Sequence, residues 1–220
     1  MGFGIFPSPD KQATYRLADN TDAGTGGYTL TDNDTVTTGL AKFGNGMTLS
    51  NTNASEFYSR SDSIGLALSN SFGVSVWFTS NATPASGSWF YLVDLRSSAG
   101  TKRGLIITYA NQAGVLKLNV YAEGNTYYTY TLTPNKWYKI DCTYTAAGAN
   151  VDLYLNGIFL FSAPWGASSN TLNLMAIGAQ VKSPGSNYWW RGNIDDVAIY
   201  NVARTATQIR KQYAHETGKY

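Results

Sequence analysis

Few residues in this sequence could carry out chemistry, and their spacing gives no catalytic constellation. The chain has one cysteine, Cys142, and one histidine, His215, which excludes multi-cysteine and multi-histidine metal sites. Cys142 lies in an apolar strand pattern, typical of a buried thiol rather than a nucleophile. The three glutamates, Glu56, Glu123 and Glu216, are far apart in sequence.

The only adjacent acidic pair is Asp195-Asp196. Neighbours on a strand point to opposite faces, so these two carboxylates are not expected to act on one substrate. A retaining glycosidase needs two carboxyl groups about 5 Å apart. The sequence therefore predicts a protein that is not an enzyme.

Two segments carry aromatic residues in loop-like sequence. Trp165 lies within Ala-Pro-Trp-Gly-Ala-Ser-Ser-Asn, and Tyr188 and Trp189 follow Ser-Pro-Gly-Ser-Asn. An exposed aromatic face can stack on a sugar ring, with nearby amides and hydroxyls bonding its hydroxyl groups. We therefore predict that these three residues bind a ligand. Alternatively, the segments close an edge of the fold or are buried against a neighbouring subunit.

Charge limits the classes of partner. Charged residues make up 14% of the 220 residues and the formal net charge is +2. A typical soluble domain has about 25% charged residues. The sequence contains no broad basic field for nucleic acid and no apolar run long enough to span a membrane. The first twelve residues lack the features of a signal peptide, which predicts a chain made without classical secretion, or a fragment.

Most apolar runs are short, rich in β-branched and aromatic residues, and bounded by turn residues, which predicts strands. Leu118 and Val120 alternate with Lys117, Asn119 and Tyr121, as in a strand with one buried face. The predicted strands are Ala13–Leu17, Met47–Leu49, Phe57–Tyr58, Gly73–Phe78, Phe90–Arg96, Gly104–Tyr109, Val115–Ala122, Tyr127–Leu132, Trp137–Thr145, Val151–Asn156, Ile158–Ser162, Leu172–Ala179 and Gly192–Tyr200.

The connections between these strands predict antiparallel pairing. Asn156-Gly157 between two strands is a strong hairpin signal. Together with predicted turns at residues 110–114 and 123–126, the Asn156-Gly157 turn predicts three hairpins in one meander. Thr205 and Gln208 have capping-box spacing and predict a C-terminal helix over Ala206–Ala214.

No linker or repeat divides the chain. We predict one domain over residues 1–220, with a core over about 13–213. Its fold class is all-β, a two-sheet antiparallel jelly-roll sandwich with one short C-terminal helix.

The ordered motifs of the chain resemble those of laminin-G-like domains in the concanavalin A-like lectin/glucanase superfamily. The motifs are Phe43-Gly-Asn-Gly, Phe72-Gly-Val-Ser-Val-Trp-Phe, Trp137-Tyr-Lys-Ile, Val151-Asp-Leu-Tyr-Leu-Asn-Gly, Ile177-Gly and Trp190-Arg-Gly-Asn-Ile-Asp-Asp-Val-Ala-Ile-Tyr-Asn. The resemblance implies a curved concanavalin A-like sandwich that acts as a binding or adhesion module. The fold hosts both lectins and hydrolases, so it does not by itself imply an activity.

The same resemblance implies one structural calcium ion. Its ligands would be Asp195 and the carbonyl of Gly44, completed by Asp19 or Asp22. Calcium accepts carboxylate and backbone oxygens in flexible geometry. In the alternative interpretation, Asp19 and Asp22 cap turns and Asp195 accepts hydrogen bonds from backbone amides at a strand end.

Three functions follow as hypotheses. The first is a non-catalytic, lectin-like module that binds glycans. The second is a structural decoration or fibre-associated protein on the surface of a bacteriophage particle, with a particle-surface protein or further copies of itself as partners. The third is a glycoside hydrolase, which would need an acidic pair that only folding brings together.

Overall fold

The structure is a computed structural model that describes residues 11–21, 23, 26–49, 56–62, 65–97, 104–122, 124–165, 171–181 and 188–218. Antiparallel strands make up most of the described chain, and one helix follows them. In chain order the elements are β1 (Lys11–Tyr15), β2 (Thr31–Asn33), β3 (Thr38–Ala41), β4 (Gly44–Leu49), β5 (Phe57–Arg60), β6 (Leu66–Ala67), β7 (Phe72–Phe78), β8 (Trp89–Arg96), β9 (Ile106–Gln112), β10 (Val115–Ala122), β11 (Gly124–Thr129), β12 (Tyr138–Thr145), β13 (Asn150–Leu155), β14 (Ile158–Pro164), β15 (Thr171–Leu172), β16 (Leu174–Ile177), β17 (Gly192–Tyr200) and α1 (Ala206–Glu216).

Two large antiparallel sheets form the layers. The eight-stranded sheet has the order β14-β13-β12-β7-β17-β4-β3, and β1 also pairs with β17. The seven-stranded sheet has the order β11-β10-β9-β8-β16-β5-β2. A small sheet joins β15 to β6. This architecture confirms the predicted all-β sandwich.

The turn at Asn156-Gly157 forms the expected hairpin between β13 and β14. Both residues have positive φ, 52° and 77°, as a two-residue turn of the favoured hairpin type requires. The prediction of one continuous meander is wrong. The chain crosses between sheets after β11, so the hairpins of β9, β10 and β11 lie in the seven-stranded sheet and the Asn156-Gly157 hairpin lies in the eight-stranded one.

The hydrophobic core fills the space between the two sheets. Alternation along each strand sends one set of side chains inward, because successive residues of a strand face opposite sides. Phe72, Val74, Val76 and Phe78 of β7 are buried in the core, while Trp77 points to the outer face of its sheet.

Helix α1 covers that outer face. The predicted capping box is present, since the Thr205 side chain accepts from the backbone N–H of Gln208 and the Gln208 side chain accepts from that of Thr205. Ile209 is buried, and Tyr213 stacks on Trp77 with ring centroids 5.7 Å apart. The helix thus packs on the sheet through Ile209 and Tyr213, which are four residues apart and share one helix face.

A buried ion pair fixes the end of the helix. The Lys139 side chain on β12 is fully buried, and its Nζ lies 2.5 Å from Oε2 of Glu216. The same oxygen accepts from Nε1 of Trp77 at 2.9 Å. The amide of Gln212 donates to the other oxygen of Glu216. Glu216 therefore joins the helix to two strands.

Candidate binding face on the seven-stranded sheet

The outer face of the seven-stranded sheet carries a row of polar and aromatic side chains. Tyr91 on β8, Thr108 on β9 and Asn119 on β10 are cross-strand neighbours. The residues before and after Thr108 and Asn119 lie in the core, so strand alternation points these two side chains outward. Neighbouring strands lie about 4.8 Å apart, which spaces the groups of this row regularly.

The polar atoms of Thr108 and Asn119 are buried and unsatisfied. Thr108 is 2% exposed and Asn119 is 1% exposed. Within the described structure, Oγ1 of Thr108 and both Oδ1 and Nδ2 of Asn119 have no hydrogen-bond partner. Such groups are rare in folded proteins and each costs about 1–3 kcal/mol. This row therefore has donors and acceptors without partners, and a bound molecule would reach them only by displacing the side chains that cover them.

Aromatic side chains lie beside the polar row. Trp189 forms a parallel bridge with Tyr91, and its ring packs at 5.6 Å against Phe57 on β5. The Tyr188 ring contacts the Tyr91 ring edge-on at 5.6 Å. All four aromatic side chains are partly exposed. We call Phe57, Tyr91, Thr108, Asn119, Tyr188 and Trp189 the Tyr91 face.

A salt bridge between Asp94 and Arg96 lies at the border of the Tyr91 face, and Asp94 also contacts Val181. Oδ1 of Asp94 accepts from Nε of Arg96 at 2.6 Å, and Oδ2 accepts from the backbone N–H of Val181 at 3.0 Å. Nε2 of Gln180 donates to the Tyr91 hydroxyl at 3.3 Å. Among the described atoms, Oε1 of Gln180 has no hydrogen-bond partner. The charges of Asp94 and Arg96 therefore compensate each other. The acceptor that remains without a partner at this border, Oε1 of Gln180, is neutral.

Sequence reasoning placed Tyr188 and Trp189 correctly as partly exposed aromatics but missed the polar row. The outward position of Asn119 was predicted from alternation along β10. Its pairing with Thr108 and Tyr91 depends on the register of three strands, which the sequence does not give.

The expectation for Trp165 is wrong. It directly follows β14 and its side chain is 1% exposed, within the core. The ring centroids of Tyr144 and Phe72 lie 4.8 and 6.0 Å from that of Trp165. Trp165 therefore closes the core, as the alternative interpretation of this segment predicted, and it presents no face to a ligand.

The Asp195 carboxylate contacts the backbone of Phe43, the residue that precedes Gly44. Oδ2 of Asp195 accepts from the backbone N–H of Phe43, next to Gly44, at 2.8 Å. Oδ1 accepts from the backbone N–H of Asp196 at 2.8 Å. Burial raises the pKa of Asp195 to about 6, although these two hydrogen bonds oppose the rise. These contacts are the ones that the alternative to a calcium ligand predicts.

The other expected calcium ligands do not join Asp195 in the described structure. Asp19 is exposed, and its Oδ1 accepts from both the backbone N–H and the hydroxyl of Thr21. Asp22 lies outside the described residues. In the described ranges, no group of three or more His, Cys, Asp or Glu side chains could hold a metal ion. The calcium ion stays a prediction.

Strand alternation, from which Asp195 and Asp196 were expected to face opposite sides, is interrupted at this point of β17. The pairing of β17 with β7 shifts register between Asp195 and Ala198, and Asp196 has φ 46°. A bulge of this kind interrupts the alternation of side chains. Oδ1 of Asp196 lies 3.6 Å from Nε of Arg16. Both carboxylates therefore lie at one irregular site, away from the Tyr91 face.

A separate open cleft of about 850 Å³ lies at another part of the surface. Its lining includes Ser69, Asn70, Ala146 and Asn201, together with Gln12. Its lining lacks the aromatic side chains of the Tyr91 face, and none of the buried unsatisfied atoms of the described structure belongs to it. Among the described residues, no helix is both long and apolar enough to cross a membrane.

Comparison with known structures finds the same sandwich in proteins of diverse activity. Domain 4 of AbnA, an extracellular arabinanase from Geobacillus stearothermophilus solved in complex with arabinotriose, matches with TM-score 0.67 at 18% identity, covering 92% of this chain and 97% of that one. The binding domain of botulinum neurotoxin serotype G matches with TM-score 0.67 at 13% identity, covering 92% and 50%. A sialidase of Trypanosoma rangeli matches with TM-score 0.52 at 17% identity, covering 66% and 22%. At these identities the likeness shows the fold alone.

A family model described as the concanavalin A-like lectin/glucanase superfamily, of the laminin-G type, matches residues 44–210. No curated protein compared with the chain matches it. The matched residues include most strands of both sheets and the start of the helix. The chain therefore belongs to the concanavalin A-like lectin/glucanase superfamily.

Proposed function

We propose that this protein is a non-catalytic module that binds a glycan on the Tyr91 face. The observation that carries the proposal is the buried, unsatisfied pair of Thr108 and Asn119 beside partly exposed aromatic rings. An amide and a hydroxyl can bond sugar hydroxyls, and the rings can stack on the apolar face of a pyranose. A glycan that displaces the side chains covering Thr108 and Asn119 would satisfy polar atoms that the protein leaves without partners.

The charges at this site favour a neutral glycan. Asp94 and Arg96 form a salt bridge, and both oxygens of Asp94 accept hydrogen bonds. An acidic sugar would need a cation whose charge is not already compensated. We therefore expect neutral oligosaccharides to bind more tightly than acidic ones of the same length.

The same contacts support binding without bond cleavage. Glycoside hydrolysis in most families needs a pair of acidic side chains flanking the scissile bond. Asp94 is the carboxylate that lies in the described cross-strand rows of this face, and its two oxygens accept from Arg96 and from the backbone N–H of Val181. Glycan binding without turnover is the expected behaviour.

The experiment is a glycan array followed by calorimetric titration of the best neutral ligand. Trp189→Ala should weaken binding by about tenfold or more, since it removes a stacking surface. Phe159→Ala is the matched control, because Phe159 is 51% exposed on the eight-stranded sheet. Equal binding by wild type and Trp189→Ala would overturn the proposal, as would no binding across a broad neutral panel.

A further inference from the structure

The two sides of the sandwich have edge strands of different length. On one side, the sheets end in β11 and β14, with six and seven residues. On the other side they end in β2 and β3, with three and four residues. Short edge strands are one means by which proteins prevent pairing with other chains. The β11–β14 side lacks that protection.

The β11–β14 side also exposes apolar side chains. Ile158 is 68% exposed and Phe159 is 51% exposed, both on β14. Tyr128 on β11 is 39% exposed and stacks on Phe161 of β14, with ring centroids 6.5 Å apart. The two edge strands therefore present one partly apolar surface, which we call the β14 edge: Tyr128, Ile158, Phe159 and Phe161.

Neither β11 nor β14 contains a charged residue. Charged side chains are a second common protection of edge strands. In a twofold interface a surface faces a copy of itself, so a net charge on the surface would meet a net charge of the same sign. A surface without charge avoids that repulsion, which makes the β14 edge electrostatically compatible with its own copy.

The backbone of β14 is available along most of its length. In the described sheets β14 pairs with β13 alone, so its other edge has no strand beside it. Pro164 has no N–H to donate, and it stands at the end of the strand. An added strand could therefore pair with residues 158–163.

We propose that the β14 edge is an interface between two copies of this chain, with the two β14 strands antiparallel across a twofold axis. The pairing would join the eight-stranded sheets of both copies into one continuous sheet. Ile158, Phe159 and Tyr128 would lose their exposure in the interface. This inference does not depend on glycan binding.

The test is the mass of the wild-type chain measured by sedimentation equilibrium over a wide range of concentration. We expect the mass to rise from 23.9 kDa toward twice that value. Phe159→Asp should raise the dissociation constant by about tenfold or more, because it removes an apolar side chain and buries an unpaired charge in the interface. Ser162→Lys is a second variant, since it adds a charge at an exposed position of β14 without removing an apolar side chain.

Leu40→Asp is the matched control. Leu40 is 85% exposed on β3, the opposite edge strand of the same sheet, and its substitution should leave the dissociation constant unchanged. Circular dichroism would confirm that each variant folds. A wild-type chain that stays monomeric at all concentrations would overturn the inference. So would folded Phe159→Asp and Ser162→Lys variants that associate as the wild type does. Glycan titration of the monomeric variants would keep the two proposals separate.

Discussion

Asn119 on β10 lies directly opposite Thr108 on β9, and both buried side chains point to the outer face of the seven-stranded sheet. None of their side-chain polar atoms has a hydrogen-bond partner in the described structure. Two apolar residues at these positions would avoid the cost of burying unsatisfied groups. The unsatisfied pair therefore supports the proposal that a ligand binds at this face.

Removal of the Thr108 hydroxyl should separate stability from binding. Thr108→Val keeps the shape of the side chain and removes an unsatisfied group. We expect the free energy of unfolding to stay unchanged or rise by about 1 kcal/mol, while glycan affinity falls. Urea denaturation and calorimetric titration would measure the two quantities.

Thr143→Val is the control for that prediction. Thr143 is also buried, but its Oγ1 accepts from the backbone N–H of Arg204 at 2.8 Å. Loss of this acceptor should lower the free energy of unfolding by about 1 kcal/mol or more. If Thr108→Val destabilises the protein as much as Thr143→Val does, the Thr108 hydroxyl has a structural partner.

Trp165 and Trp189 should differ sharply in their effect on stability. Trp165→Ala leaves a cavity next to Tyr144 and Phe72, and we expect a loss of about 3–5 kcal/mol in the free energy of unfolding. Trp189 is partly exposed, so Trp189→Ala should cost less than about 2 kcal/mol. Urea denaturation of both variants would measure these free energies. A larger loss of stability for Trp189→Ala than for Trp165→Ala would contradict the placement of Trp165 in the core and of Trp189 at the surface.

Glu216 should make stability depend on pH in the acid range. Burial opposes its ionisation, but Lys139, Gln212 and Trp77 together hold its pKa below the ordinary 4.5. A carboxylate with a lowered pKa stabilises the fold above its unfolded pKa, and this contribution is lost as pH falls through the folded pKa. We expect Glu216→Gln to lower the free energy of unfolding by about 2–3 kcal/mol at neutral pH, and by less in acid.

Thermal unfolding of wild type and Glu216→Gln from pH 7 to pH 3 would measure this difference. The comparison cancels the contribution of Asp195, whose raised pKa has the opposite sign, because both proteins contain it. Asp62→Asn is the control, since Asp62 pairs with Arg60 at the surface and should change stability little. A wild-type advantage that does not shrink in acid would refute the assigned role of Glu216.

The predicted calcium ion can be tested by thermal unfolding with calcium or with a chelator. A ligand that binds the folded state stabilises it by about 2.7 kcal/mol at a hundredfold excess over its dissociation constant. If Asp195 is a ligand, calcium should raise the melting temperature of wild type but not of Asp195→Asn. If calcium leaves the melting temperature of the wild type unchanged, the prediction of a structural calcium ion is wrong.

Local signals in the sequence predicted most of the longer strands, the Asn156-Gly157 hairpin and the capped helix. These signals are the alternation of side chains, the conformation of the turn and the capping of the helix, and each depends only on residues close together in sequence. The short strands β2, β3 and β6 were missed, because two to four residues carry too little alternation to identify a strand. The crossing between sheets after β11 was missed for a different reason. The pattern of a strand does not show which of the two sheets the strand joins.

The candidate site was only partly predictable. Trp189 was selected for its loop-like surroundings, and it lies at the Tyr91 face. Trp165 was selected on the same grounds and lies in the core, because burial depends on what packs around a residue rather than on its neighbours in sequence. The bulge at Asp196 likewise depends on strand register.

The most direct measurement is backbone amide chemical-shift mapping of the protein titrated with its best neutral oligosaccharide. If the glycan binds on the Tyr91 face, the largest changes fall at Tyr91, Thr108, Asn119 and Trp189, and the amides of the open cleft at residues 69–71 and 201–203 stay unchanged. Changes confined to that cleft or to β14, with none on the Tyr91 face, would contradict the central claim.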